Sequence, residues 1–122
     1  MFKYIQSTGQ LFHQEDGKWV LIGTGYSGHD DGLNNHAMEN VSNVGPIPAG
    51  LWSISPPYDD EHLGTLCFRY VALTYMGPRY SFRLHGDNKE LNHTASDGCT
   101  IFDHATRQKI ADLKPKYLLV EA

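Results

Sequence analysis

The chain has 122 residues, of which 40% are hydrophobic and 20% charged, with a formal net charge of −4. That length suits one domain spanning residues 1–122 with a single core, and the composition lies far from disordered or collagen-like balances. No run of Lys and Arg offers a phosphate-binding face, which argues against nucleic acid, and no apolar stretch nears the roughly 18 residues that cross a bilayer, which argues against membrane insertion.

The opening segment MFKYIQSTGQLFHQEDG turns polar by residue 6, so no cleavable leader is expected and export is expected to use a route without one. Within it, FKYIQ and QLFHQ flank the turn signal STG, and KWVLIGT follows EDG, so the first 25 residues read as short strands joined by turns. Gly25 to Gly50 is rich in Gly, Asn, Asp and Ser, lacks periodicity and closes on GPIPAG. A structureless loop of this length in a small domain is uncommon and often functional, its order is left open by the residues, and Pro46 and Pro48 stiffen the approach to the next strand. LWSISP, TLCFRYVALTYM and RYSFRLHG read as further strands, and KYLLVEA as the last. DHATRQKIADLK is the one convincing helix: Asp103 caps it, Ala105, Ile110 and Leu113 share a face, and Lys114 precedes the breaker Pro115. The sum is a mostly-β sandwich or barrel with one helix beside a reactive segment.

That segment is SDGCTIF, residues 96–102. A cysteine nucleophile needs a base, a source of positive potential and hydrogen-bond donors for an oxyanion. Gly98 lets the chain turn tightly, so that consecutive N–H groups converge near the Cys99 sulfur. The N-terminus of the following helix lies close enough to favour a thiolate, with Asp103 offsetting part of that effect. Three histidines compete as base: His85 in FRLHGDN, His93 in LNHTA and His104 in FDHAT. His85 is the best placed. It ends a strand whose alternation sets Phe82 and Leu84 against Arg83 and His85, and Gly86 leaves room for a substrate. The bland alternatives are a packed thiol and a structural strand-end histidine.

FRLHGDNKELNHTASDGCTIF resembles the active-site signature of YkuD-type L,D-transpeptidases, in which a strand ends in His-Gly and a Ser-x-Gly-Cys motif follows. YSGHDDGLNN and NVGPIPAGLWSI resemble segments of a small subgroup, the L,D-transpeptidase-like effectors of type VI secretion. The likeness runs from about Gly25 onward. It implies a small β-sandwich or barrel-like catalytic domain in which Cys99 attacks the meso-diaminopimelate–D-alanine link of a peptidoglycan tetrapeptide stem. His85 aligns with the general base, while Ser96, Gly98 and the Cys99 N–H align with the groups that shape the turn and the oxyanion site. Water as acceptor gives an L,D-carboxypeptidase, a free D-amino acid an exchange, and a second stem a crosslink. No cofactor is implied. The effector likeness implies synthesis in the cytoplasm, action in the periplasm of a target cell, and two partners, a secretion-apparatus component and a periplasmic immunity protein. Two positions depart from typical cell-wall transpeptidases: Asp97 stands where they carry His, and Ile101 where Arg or Asn is common. An acidic neighbour raises a thiol pKa, and the pair of changes points toward trimming or exchange.

Other residues carry two readings each. Tyr26, Ser27 and Gly28 line the substrate groove, as the resemblance suggests, or simply form a turn. Arg83 meets a substrate carboxylate or a structural ion-pair partner. Cys67 is expected to be core packing; its oxidation onto Cys99 would switch the enzyme off. The rival functions are a zinc peptidase, using His29, Asp31 and His36 or else His85, His93 and Cys99, and a non-catalytic wall-binding or phage-associated module. Neither ligand set has a tight motif spacing, and no metal is assigned.

Overall fold

The turn chemistry of the N-terminal third sets the first three strands. In the computed structural model, which describes residues 1–87 and 95–122, β1 (Phe2–Ile5), β2 (Gln10–Glu15) and β3 (Lys18–Thr24) form an antiparallel meander. Asp16 and Gly17 both take positive φ (49° and 75°), the pair that a tight two-residue hairpin turn requires. Period-two alternation then buries Phe2 and Tyr4 in β1 while their neighbours stay half-exposed.

The remaining strands are β4 (Tyr26–Ser27), β5 (Gly50–Ile54), β6 (Tyr58–Asp60), β7 (Gly64–Ala72), β8 (Arg83–His85), β9 (Thr100–Ile101) and β10 (Tyr117–Glu121). The sheet order is β3-β2-β1-β10-β5-β7-β8-β9-β4, with β6 pairing the outer part of β7. Its two end strands, β3 and β4, are separated in the chain by Gly25 alone, so the sheet must curl until its ends approach. At that closure the Gly25 N–H donates to the Gly9 carbonyl at 2.8 Å, and a Cβ on Gly25 would lie 1.8 Å from the Ile101 oxygen. A nearly closed, mostly-β barrel-like sheet with one helix results, as the residues led us to expect.

Phe2, Tyr4, Leu11, Trp52, Phe68, Leu84, Phe102 and Leu118 fill the interior, each contributing about 1.5–3 kcal/mol by leaving water. The single described helix, α1 (His104–Leu113), starts as expected: Asp103 Oδ1 accepts the Thr106 N–H at 2.8 Å, and Lys114 ends it in a left-handed conformation just before Pro115. Its buried face is different. Thr106 and Ile110 point inward, whereas Ala105 and Leu113 are exposed. Gly23 on β3 explains the shift, since a Cβ there would lie 2.5 Å from the Thr106 side chain; the missing side chain accepts Thr106.

Residues 25–50, whose order the sequence leaves open, contain β4 and 3₁₀ turns at Asp30–Gly32 and His36–Met38. Gln6, buried at the end of β1, holds this region by donating to the Ile47 carbonyl at 2.8 Å and to Glu39 at 3.2 Å. The strand anticipated through Met76 ends at Ala72, and the one read as RYSFRLHG shortens to Arg83–His85, because the 73–82 connection leaves Met76 and Tyr80 in solvent.

Candidate active site

Cys99 stands one residue before β9, which runs parallel to β8 with Leu84 level with Thr100 and His85 level with Ile101. This register puts Cys99 beside Arg83 and makes His85 its diagonal neighbour on the adjoining strand. The turn before Cys99 is organised by two buried serines. Ser96 Oγ accepts the N–H groups of Gly28 (2.8 Å) and Gly98 (3.1 Å) and donates to the Cys99 carbonyl, which uses the full capacity of a hydroxyl. Ser27 Oγ donates to the Gly98 carbonyl at 3.0 Å and accepts the Ile47 N–H at 2.8 Å. The Gly98 N–H is therefore engaged inside the turn, not presented to a substrate, which corrects the expectation of converging N–H groups there. Gly98 itself, at φ +134°, could carry no side chain: a Cβ would lie 2.3 Å from Arg79 Nη2.

His85 is 4% exposed, and its Nδ1 lies 2.7 Å from the Gly86 carbonyl. A carbonyl only accepts, so Nδ1 carries the proton and Nε2 keeps the lone pair. Burial, joined by the charges of Arg107 and Arg83, holds the imidazole pKa below its ordinary 6.5, with the Gly86 carbonyl and Asp60 acting the other way. His85 is thus neutral at pH 7. The Cys99 thiol is pushed above its ordinary value by burial and by Asp97, while the Arg83 N–H and the charges of Arg83 and Arg79 pull it down. At rest the thiol and the imidazole on the adjoining strand are both neutral.

A cleft of about 440 Å³ opens onto Cys99, lined also by Arg79, Tyr80, Phe82, Asp97, Gly98 and the tip residues Ser42 and Asn43. Arg79 is the residue that sequence reading missed. Only 8% exposed, it donates to the carbonyls of Glu39 (2.6 Å), Pro46 (2.7 Å), Gly45 (3.1 Å) and Asp97 (2.8 Å). Nothing in its local pattern, a cation after the turn signal GP, separates it from a surface arginine. His29 was considered only as a metal ligand; its Nδ1 sits 2.8 Å from the Ser96 carbonyl and 3.5 Å from Asp97.

The expected groove residues divide. Ser27 and Gly28 are buried in the turn's scaffold and do not line the cleft. Tyr26 donates to Asp87 at 2.7 Å and lines a separate cavity of about 510 Å³ with Phe102, His104 and Arg107. The space expected over Gly86 is filled, since a Cβ there would lie 2.8 Å from Arg107 Nη2. Arg83 points to Asp60, 3.3 Å away. Cys67 is fully buried and unoxidised, with its thiol directed at the Gly64 carbonyl. Of the rival bases, His104 is exposed at the start of α1 and His93 lies outside the described residues. Among the described residues no three His, Cys, Asp or Glu side chains converge as metal ligands, so His29, Asp31 and His36 are not brought together.

Comparison with known proteins supports this geometry at the level of family and fold. A family model described as the Tlde1 domain matches residues 22–117. The crystal structure of the L,D-transpeptidase from Xylanimonas cellulosilytica DSM 15894 superposes with a TM-score of 0.57 at 21% identity, covering 98% of this chain and 58% of that one. The NMR structure of the catalytic domain from E. faecium L,D-transpeptidase gives 0.56 at 15% identity, covering 98% and 94%. No curated protein matches. The chain thus spans a little over half of the first structure and nearly all of the second. With most of its length inside one family model and its strands laid out as in these catalytic domains, the chain belongs to the Tlde1-domain family and has the L,D-transpeptidase fold.

Proposed function

We propose that this chain is a cysteine-dependent enzyme of peptidoglycan stem peptides, acting at the meso-diaminopimelate–D-alanine bond through an acyl-enzyme. The observation that carries the reading is the paired environment of Cys99 and His85. A thiol stands at the floor of a cleft, and on the neighbouring strand a neutral histidine has its Nδ1 proton tied to the Gly86 carbonyl, leaving Nε2 to act as base. As the sulfur adds to the scissile carbonyl, its proton passes to Nε2. Collapse of the tetrahedral oxyanion breaks the C–N bond, and the imidazolium returns the proton to the departing D-alanine amine. Water, deprotonated by the same Nε2, then releases a tripeptide; a D-amino acid amine in its place gives exchange.

Asp97 and Ile101 favour trimming and exchange over crosslinking in this reading. Asp97 adds negative charge beside the thiol, and Ile101, 2% exposed in β9, offers no polar group to an acceptor. Family membership supports a further step, an antibacterial role in the periplasm of a target cell after secretion, countered in the producer by an immunity protein. Mass spectrometry of a disaccharide-tetrapeptide tests the core of the proposal. Wild type should remove one terminal alanine and Cys99→Ala should not. An unchanged tetrapeptide, with and without a D-amino acid, would instead favour a binding module. Robust formation of 3→3 crosslinks would overturn the preference for trimming. Periplasm-directed expression should arrest growth with wild type and not with Cys99→Ala.

A further inference from the structure

Arg79 is a buried cation that, among the described residues, has no carboxylate within ion-pair distance; its guanidinium's four hydrogen bonds all end on carbonyl oxygens. The nearby Asp97 carboxylate is largely exposed and turns to His29, so only its backbone bonds Arg79, while its charge and that of Glu39 act from a distance. Buried charges are ordinarily paired, because carbonyl dipoles satisfy hydrogen bonds without cancelling charge. The surroundings have nonetheless been shaped around it. Gly98 leaves the space that Nη2 fills, a Cβ on Gly45 would lie 3.3 Å from Nη1 and 1.9 Å from the Met38 oxygen, and the Phe82 ring stacks under the guanidinium at 4.9 Å.

Three of the four carbonyls belong to the 39–46 segment and the fourth to Asp97, two residues before the sulfur. Only a planar fork with several donors can bridge both segments; a lysine ammonium reaches fewer acceptors and fixes no plane. We propose that Arg79 is a positioning residue that locks the 39–46 loop onto the nucleophile turn and holds a fixed positive charge beside Cys99. That charge is the source of positive potential a buried thiol needs when its proton leaves. Away from water it acts on a developing anion more strongly than a surface cation does.

Alkylation of Cys99 tests this without any substrate. Iodoacetamide rates, read by peptide mass spectrometry between pH 6 and 10, are compared for wild type, Arg79→Met and Arg79→Lys. Arg79→Met should react about tenfold more slowly along the limb where the rate climbs with pH, a shift of about one pH unit, with the same limiting rate; Arg79→Lys should recover most of the loss. Coincident profiles for wild type and Arg79→Met would overturn the proposal. Should Arg79→Met fail to fold, hydrogen exchange on Arg79→Lys decides: the amides of Gly45, Ile47 and Gly98 should lose protection together, and loss on one side alone would overturn it. A wild type inert to tetrapeptide that still shows the Arg79 shift would sink the proposed reaction and leave this inference standing.

Discussion

The two sides of Cys99 are built on different principles. On one side β8 carries Arg83 and His85, placed by sheet register between β7 and β9. On the other side the 25–50 segment has only the two-residue pairing of β4 with β9 and is otherwise attached by discrete bonds: Ser96 to Gly28, Ser27 to Gly98 and Ile47, and Arg79 to four carbonyls. A ladder spreads its hold over many equivalent bonds and cannot slip without turning side chains to the wrong face. Discrete side-chain bonds concentrate the hold in a few hydroxyls and one guanidinium. The strand side should therefore yield variants that fold and fail in chemistry, and the loop side variants that lose stability and chemistry together.

The largest expected effect breaks this comparison most directly. His85→Gln should lower the tetrapeptide-trimming kcat by about 10²–10⁴-fold while keeping the wild-type circular dichroism, and Cys99→Ala should abolish turnover. If His85→Gln unfolded, the strand side would be no sturdier than the loop side. On the loop side, Ser96→Ala strands the buried N–H groups of Gly28 and Gly98, at about 1–3 kcal/mol each before relaxation. Urea denaturation should show a loss of about 2–4 kcal/mol, accompanied by slower Cys99 alkylation.

The third prediction concerns pH. Burial lowers the folded His85 pKa below the unfolded 6.5, so on acidification the unfolded chain takes up that proton first. The His85 contribution leaves stability unaffected above pH 6.5 and reduces it as pH falls from there toward the folded value. His85→Gln should therefore flatten the drop in Tm between pH 6.5 and 5 measured by scanning calorimetry; an equally steep drop would count against a buried neutral imidazole. The smallest effect belongs to the partly exposed Arg83–Asp60 pair. Asp60→Asn should leave kcat within about twofold, since water screens such a pair. A larger loss would give Asp60 a part in orienting the strand side.

Much of the fold was legible because it rests on local chemistry. The Asp16–Gly17 turn, the alternation in Phe2–Ile5, the Asp103 cap and the Pro115 stop are short-range effects that their own neighbours decide. The strands that escaped notice, β4, β6 and β9, are two or three residues long, too short to carry a period. The helix face was misjudged because Thr106 owes its burial to the absence of a side chain at Gly23, 83 positions earlier in the chain. Ser27 drew notice as a groove residue and proved to be a buried brace; a serine's partners are set by what folds back onto it.

The sequence by itself determined the local vocabulary of this protein: a β-rich chain, one capped helix, a Gly98–Cys99 turn and a His85–Gly86 strand end, each written in adjacent residues. Tertiary structure alone decided which of these meet. It made Cys99 and His85 neighbours through the parallel β8–β9 register, chose the Nε2 lone pair by setting Nδ1 against a carbonyl, and drew Arg79 into a nest of four carbonyls from two separate segments. The reason is physical. Turns and caps follow from the few dihedrals of contiguous residues, whereas pairing, burial and the charge state they impose depend on what the folded chain places around a group.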